Sequence, residues 1–328
     1  MYRSSLSVLV TTGLLLVLSA CSEEADPPPP ASGGSSGNGT GGSTGGSAGA
    51  LGSSGSGGTD GVGGSTGGSG GSGGAGGAGG SGGSAGSGGA AGAGVGCESL
   101  PLCDDFEGAN AGGPPDPSRW AVTELNNCVS SVAAPTIDDA QHRSGTRSLK
   151  VVGGSDFCGY SMVGNSAAIA AIGDVVYGRM YIRFESALQQ GHTGFAAFID
   201  QAQQGKTLRL GGQNFALQWN RESDDATVPE QSEAGVMTSY TPPVGEWFCF
   251  EFMIDQAQGH FSGWVNDNPV EGLTVDGTPT PEIDRQWLNT AYKPDLQDFN
   301  IGWQNYNGGP MTLWFDDVAL GAQRIGCD

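Results

Sequence analysis

Basic side chains are scarce in this sequence: 13 Lys and Arg stand against 34 Asp and Glu among 328 residues, a formal net charge of −21. A chain of that sign repels phosphate backbones and anionic headgroups, which argues against nucleic acid and against an anionic membrane surface as partners. Histidine is scarcer still, at three residues, and no two cysteines have CxxC spacing, so a zinc centre is not expected. The one long apolar run, VLVTTGLLLVL at 8–18, is too short to cross a bilayer as a stable anchor. Outside a glycine tract there is no GxSxG elbow, HExxH helix, Walker loop or dinucleotide fingerprint, which removes several common hydrolase and nucleotide chemistries.

What is present falls into three parts. Residues 1–20 read as an export signal, with Arg3 ahead of the apolar run. The LSAC at 18–21 resembles the lipobox of bacterial lipoproteins, which implies that Cys21 is lipidated and becomes the first mature residue. Ser22, where an aspartate would retain the protein at the inner membrane, implies an outer-membrane or cell-surface lipoprotein of a Gram-negative bacterium. Its only membrane contact is then that anchor. Residues 21–96 are Pro-rich, then almost wholly Gly, Ser, Ala and Thr, and cannot bury enough apolar surface to fold. Such a coil reaches roughly 40–50 Å from end to end. Residues 97–328 remain as one domain, long enough for a sizeable core.

Seven cysteines less the lipidated one leave Cys97, Cys103, Cys128, Cys158, Cys249 and Cys327, an even set that implies up to three disulfides in an exported chain. Connectivity stays open; pairing near neighbours first gives Cys97–Cys103, Cys128–Cys158 and Cys249–Cys327. The runs RSLKVV, YGRMYIRFES, TGFAAFID, TLRLGGQ, FALQWN, EWFCFEFMID, HFSGWVND, FNIGWQNY and MTLWFDDVAL alternate and are bounded by turn residues, as strands are. PEIDRQWLNTAY is the one segment with a helical look. Many strands without α/β alternation predict an all-β, two-sheet antiparallel sandwich, a jelly roll of concanavalin-like type.

Polar chemistry concentrates in GHTGFAAFIDQAQQGKTLRLGGQNFALQWNRESDD, residues 191–225. Alternation puts Arg209, Gly211 and Gln213 on one face and Leu208, Leu210 and Gly212 on the other. Gly211 leaves room between a guanidinium and an amide, and His192, Trp219, Asn220 and Asp225 stand at the ends of the same strands. Such a face suits a sugar-acid site; it equally suits the wet side of an antiparallel sheet. Trp219 and Trp303, beside these residues, are candidates for stacking on sugar rings, whereas Trp247, Trp264 and Trp314 read as core.

Three distant pieces, DDFEG (104–108), HRSGTRSLKV (142–151) and LWFDDVAL (313–320), resemble parts of the calcium site of jelly-roll carbohydrate-binding domains. The resemblance implies a structural Ca2+ held by Glu107, by carbonyls of Ser144 and Arg147, and by Asp316 or Asp317. Strand alternation sets the two aspartates on opposite faces, with Asp316 the favoured ligand.

With GHxxF, LRLGGQ, QWN, EWFCFE, PTPEID, GWQNY, WFDDVAL and RIGC in place, the whole of 97–328 resembles the fungal cellulose-induced secreted proteins and their bacterial relatives. That resemblance implies a calcium-binding β-jelly roll similar in fold to the glucuronan lyases, and polysaccharide as the partner of a monomer. Carried onto this sequence, its cleft falls on His192, Arg209, Gln213 and Asp225, with Tyr306 and Gln304 on the opposite wall. A lyase of uronic-acid polymers must neutralise a carboxylate, remove the C5 proton and protonate the leaving oxygen. Arg209 and Gln213 suit the first task, and His192 and Tyr306 suit the proton transfers. The alternative is a non-catalytic carbohydrate-binding lipoprotein. A glycoside hydrolase is disfavoured, because Glu222, Asp224 and Asp225 cluster at one strand end without an opposed acid.

Overall fold

A computed structural model describes residues 97–125 and 128–327. The export signal, the linker and Cys21 lie outside the described residues. Among these, no helix is long and apolar enough to cross a membrane.

The strands in chain order are β1 (Leu102–Asp104), β2 (Ala121–Val122), β3 (Thr136–Asp138), β4 (Ser148–Gly153), β5 (Ser161–Asn165), β6 (Val175–Phe184), β7 (His192–Asp200), β8 (Lys206–Gln213), β9 (Ala216–Arg221), β10 (Ala226–Val228), β11 (Trp247–Asp255), β12 (His260–Val265), β13 (Asn268–Pro269), β14 (Phe299–Tyr306) and β15 (Met311–Gly321). They form two antiparallel sheets. One runs β13-β12-β11-β6-β15-β4-β3 with β1 on β15, and the other runs β10-β9-β8-β7-β14-β5-β2. The sheets pack face to face as a sandwich, the expected jelly-roll architecture. Every strand anticipated from alternation is present. The segment 281–292 is not a helix; only a single turn of 3-10 helix, Trp287–Asn289, forms there. Its aromatic residues are drawn inward instead, with Trp287 and Tyr292 packing on the Arg221 guanidinium at 4.5 and 4.7 Å.

Strict alternation explains the core. Leu208, Leu210 and Trp219 of the second sheet are wholly buried, as are Phe250, Phe252 and Ile254 of the first. Phe198 meets Phe252 edge to face at 5.6 Å, and Trp219 meets Phe252 at 6.2 Å. Each buried Leu or Phe contributes about 1.5–3 kcal/mol relative to exposure. The disulfides are Cys97–Cys103, Cys128–Cys158 and Cys249–Cys327.

The outer face of the second sheet carries the polar residues. A small apolar cluster of Leu125, Tyr160, Met162 and Ala197 seats the 125–160 segment on part of that face.

Candidate functional site

The β8–β9 hairpin fixes the site through its turn. Asn214 and Phe215 both have positive φ, at 51° and 70°, as a two-residue hairpin turn requires. That turn sets Gln213 opposite Ala216, Arg209 opposite Asn220 and Leu208 opposite Arg221. Across to β7 and β14, Gly211 pairs with Gly194 and Gly194 with Gln304, while Tyr306 pairs with His192. The two glycines thus occupy the row between Arg209 and the His192–Tyr306 pair. A Cβ on Gly211 would run into the Thr193 carbonyl, and one on Gly194 would stand 2.7 Å from Gln304 Nε2. With no side chain on either glycine, the Arg209 guanidinium lies over the Tyr306 ring at 4.5 Å.

The result is a groove of about 420 Å3, whose lining includes Phe157, His192, Arg209, Gln213, Asp225 and Tyr306. His192, Arg209, Gln213, Asp225 and Tyr306, singled out in the sequence, therefore come together. His192 Nδ1 is 3.8 Å from Asp225 Oδ1, and Asp225 is held by Asn220 Nδ2 at 2.9 Å. Burial, and next the nearby Arg209 charge, push the His192 imidazole down from 6.5 to about 4 against the opposing pull of Asp225. It is neutral at neutral pH, the protonation state of a base.

Glu222 joins the site through Arg209. Arg209 is buried, with Nε donating to Thr207 Oγ1 at 2.8 Å and Nη1 to Asn220 Oδ1 at 3.3 Å. Its Nη2 forms an ion pair with Glu222 Oε2 at 2.8 Å. Glu222 also accepts from Thr207 N and Oγ1 at 2.8 and 2.6 Å. Burial raises the Glu222 carboxyl, but the Thr207 hydrogen bonds and the Arg209 charge together hold it below its ordinary value.

Two of the stacking candidates are corrected. Trp219 is fully buried between the sheets and donates Nε1 to the Leu273 carbonyl at 3.3 Å. Trp303 is also fully buried in the core. Both alternate onto the apolar face of their strands, so neither can present a ring to a sugar. The exposed aromatic at the groove is Phe157, 51% accessible and edge-on to Tyr306 at 5.5 Å. It lies next to Cys158, whose disulfide with Cys128 closes the covering segment. Gln304 is buried outright, and its amide nitrogen and oxygen have no hydrogen-bond partner, so it lies beneath the groove instead of forming its wall.

The predicted calcium residues gather around the 143–147 turn. Glu107 Oε1 accepts from Thr146 N and Arg147 N at 2.6 and 2.7 Å. Asp316 Oδ2 accepts from Arg143 N and Ser144 N at 2.8 and 3.2 Å, and Asp317 Oδ1 from Ser144 Oγ at 2.9 Å. The expectation that the aspartates face opposite ways is corrected. A bulge follows Asp316, and Asp317 has φ 47°, so both carboxylates turn to the same loop. Asp317 Oδ2 is buried without a hydrogen bond, 3.6 Å from Arg143 Nη1. Oxygen donors of this kind suit a hard cation. The Arg147 guanidinium, donating to the carbonyls of Glu107 and Ala109 at 2.6 Å each, supplies positive charge at the same place. A second possible metal-binding group is Glu251, Asp267 and Cys327, whose ligand atoms lie within 4.8 Å of one another. The Arg324 guanidinium already stands among them, 2.6 Å from Glu251 and 3.2 Å from Asp267, and the Cys327 sulfur is in a disulfide.

The chain's similarity to known proteins agrees with this architecture. The Cip1-like core domain, described as polysaccharide-lyase-like, matches residues 105–323. The solved structure of the cellulose-induced protein Cip1 is similar at 35% identity and a TM-score of 0.63, covering 69% of this chain and 100% of that one. An endo-β-1,4-glucuronan lyase from the fungus Trichoderma reesei is similar at 18% identity and a TM-score of 0.41, covering 63% and 95%. The binding domain of botulinum neurotoxin serotype G is similar at 9% identity and a TM-score of 0.41, covering 69% and 48%. None of the curated proteins matches. By the match across 105–323 and the likeness to Cip1, the chain belongs to the Cip1-like family of polysaccharide-lyase-like domains.

Proposed function

We propose that this protein engages uronic-acid-containing polysaccharide in the Arg209–His192–Tyr306 groove and cleaves it by β-elimination. The observation that carries the reading is a neutral, largely buried imidazole set beside a guanidinium and a phenol in an open groove. With the C6 carboxylate of a uronate against Arg209 and Gln213, the proton at C5 becomes more acidic, because the enolate charge develops beside a fixed cation. His192 takes that proton. The electron pair forms the C4–C5 double bond as the C4–O4 bond breaks, and Tyr306 gives its hydroxyl proton to O4. Asp225 stabilises the imidazolium that results. Phe157 offers an apolar ring for the neighbouring sugar. The test is ultraviolet absorbance of the unsaturated product when the 97–328 domain meets glucuronan, alginate, pectate and xylan. A rise that vanishes in Arg209→Leu supports elimination; retained binding with no rise supports the carbohydrate-binding alternative, which the Arg209–Glu222 pairing favours.

Export, lipidation at Cys21 and action as a tethered monomer complete the proposal, supported by LSAC and the Gly/Ser tract. The structural ion we assign to the 143–147 turn is calcium, with Glu107, Asp316 and Asp317 as its carboxylates and Ser144 and Arg147 contributing carbonyls. It would tie the first and last strands together and supply no step of the chemistry. Chelation is expected to lower the melting temperature by several degrees, and calcium to restore it. A melting curve indifferent to both would leave Arg143 and Arg147 as the sole countercharges.

A further inference from the structure

The charge inside the groove does not match a ligand that is anionic at every sugar. Among the described residues lining it, Arg209 is the only Lys or Arg, whereas Glu222 and Asp225 are both carboxylates. Arg209 is not a free cation, because Glu222 holds it at 2.8 Å. Lys206 approaches the other oxygen, Glu222 Oε1, at 3.4 Å, but it does not line the groove. Asp225 is 74% exposed at the side chain, so its charge faces an incoming chain. The domain as a whole is net negative, with 30 acids against 12 bases in residues 97–328. The groove's other polar groups are amides: Gln213, Gln231 and Asn307. Gln213 Oε1 is buried with no hydrogen-bond partner, an acceptor suited to a sugar hydroxyl.

We propose that Glu222 and Asp225 make the groove selective for polysaccharides in which uronates are separated by neutral sugars, and that Glu222 is the specificity-determining residue. The inference rests on the groove being the polysaccharide site proposed above. One carboxylate can share Arg209. The next carboxylate of a homopolyuronate would meet Glu222 or Asp225, a like-charge contact in a partly desolvated groove. A neutral neighbour avoids that repulsion, and its hydroxyl can donate a hydrogen bond to Gln213 Oε1. Glu222 acts through Arg209 and through the local field; it makes no contact with the reacting atoms in this scheme.

The experiment measures binding of the full chain to deacylated gellan, whose backbone uronates are spaced by neutral sugars, and to glucuronan, in which every sugar is a uronate. Both are titrated calorimetrically at low and at high salt. The wild type is expected to favour gellan at low salt, with the preference shrinking as salt screens the carboxylates. Glu222→Gln should raise glucuronan affinity roughly tenfold more than it raises gellan affinity. Asp225→Asn, which touches neither Arg209 nor Thr207, should move the ratio the same way and carries the test if Glu222→Gln does not fold. An unchanged gellan-to-glucuronan ratio in folded variants, or a wild-type preference for glucuronan at low salt, overturns the selectivity while leaving the groove as the binding site. Binding of neither polymer overturns the site reading, and the selectivity with it.

Discussion

Replacing His192 by glutamine should remove a pH-dependent destabilisation that the native fold carries. The imidazole is only 12% exposed and is faced by Arg209, Asp225, Tyr306 and, behind Arg209, Glu222. Its burial and the Arg209 charge lower it from 6.5 to about 4. The unfolded chain therefore binds a proton below about pH 6.5 that the folded chain refuses until about pH 4. Stability is whole above the unfolded value and drains away as pH falls through that window. At 1.36 kcal/mol per pH unit, the loss across it is about 3 kcal/mol. Glutamine keeps the volume and hydrogen-bonding character but does not titrate. Urea unfolding of both proteins at pH 7 and near pH 4 should show the wild type losing about 3 kcal/mol more than the variant. Carboxylates elsewhere contribute equally to both and cancel. Equal losses would refute the claim that His192 is held neutral by its surroundings.

The aromatic assignments separate cleanly. Trp219→Phe should lower stability, since a buried indole and its bond to Leu273 are lost, yet leave polysaccharide affinity unchanged; Phe157→Ala should do the reverse, as read by urea melts beside binding titrations. The disulfides should rank by the loops they close. Removing Cys249–Cys327, with a separation of 78 residues, is expected to cost about 4 kcal/mol, against about 2 kcal/mol for Cys97–Cys103 with a separation of 6. Paired Cys→Ala variants under denaturant check the order.

How much of this could be read beforehand depends on the range of the determining contact. The β7–β9 ladder was legible from alternation, and so was the placement of Arg209 and Gln213 on one face. The same alternation carries more. With a two-residue turn at Asn214-Phe215, Trp219 falls opposite Leu210 on the core face, and the residue after Arg221 falls opposite Thr207, beside Arg209. The burial of Trp219 and the Glu222–Arg209 pair were both implicit in that register. Phe157 was not legible, since its place at the groove depends on a loop closed by a disulfide and seated by Leu125, Tyr160 and Met162 on Ala197. Nor was the joint facing of Asp316 and Asp317, which a bulge decides against strict alternation. Segment 281–292 misled because its spaced aromatics serve to enclose Arg221 from outside a helix.

The central claim is that the groove performs elimination with His192 as base. The direct measurement is the initial rate of unsaturated-product formation on deacylated gellan, followed by ultraviolet absorbance from about pH 4 to pH 9 for the wild type, His192→Gln and Tyr306→Phe. The wild-type rate is expected to fall on its acid side near the His192 value of about 4, with both variants reduced at least a hundredfold or so. Wild-type turnover retained in both variants, or an acid limb that persists in His192→Gln, would contradict it.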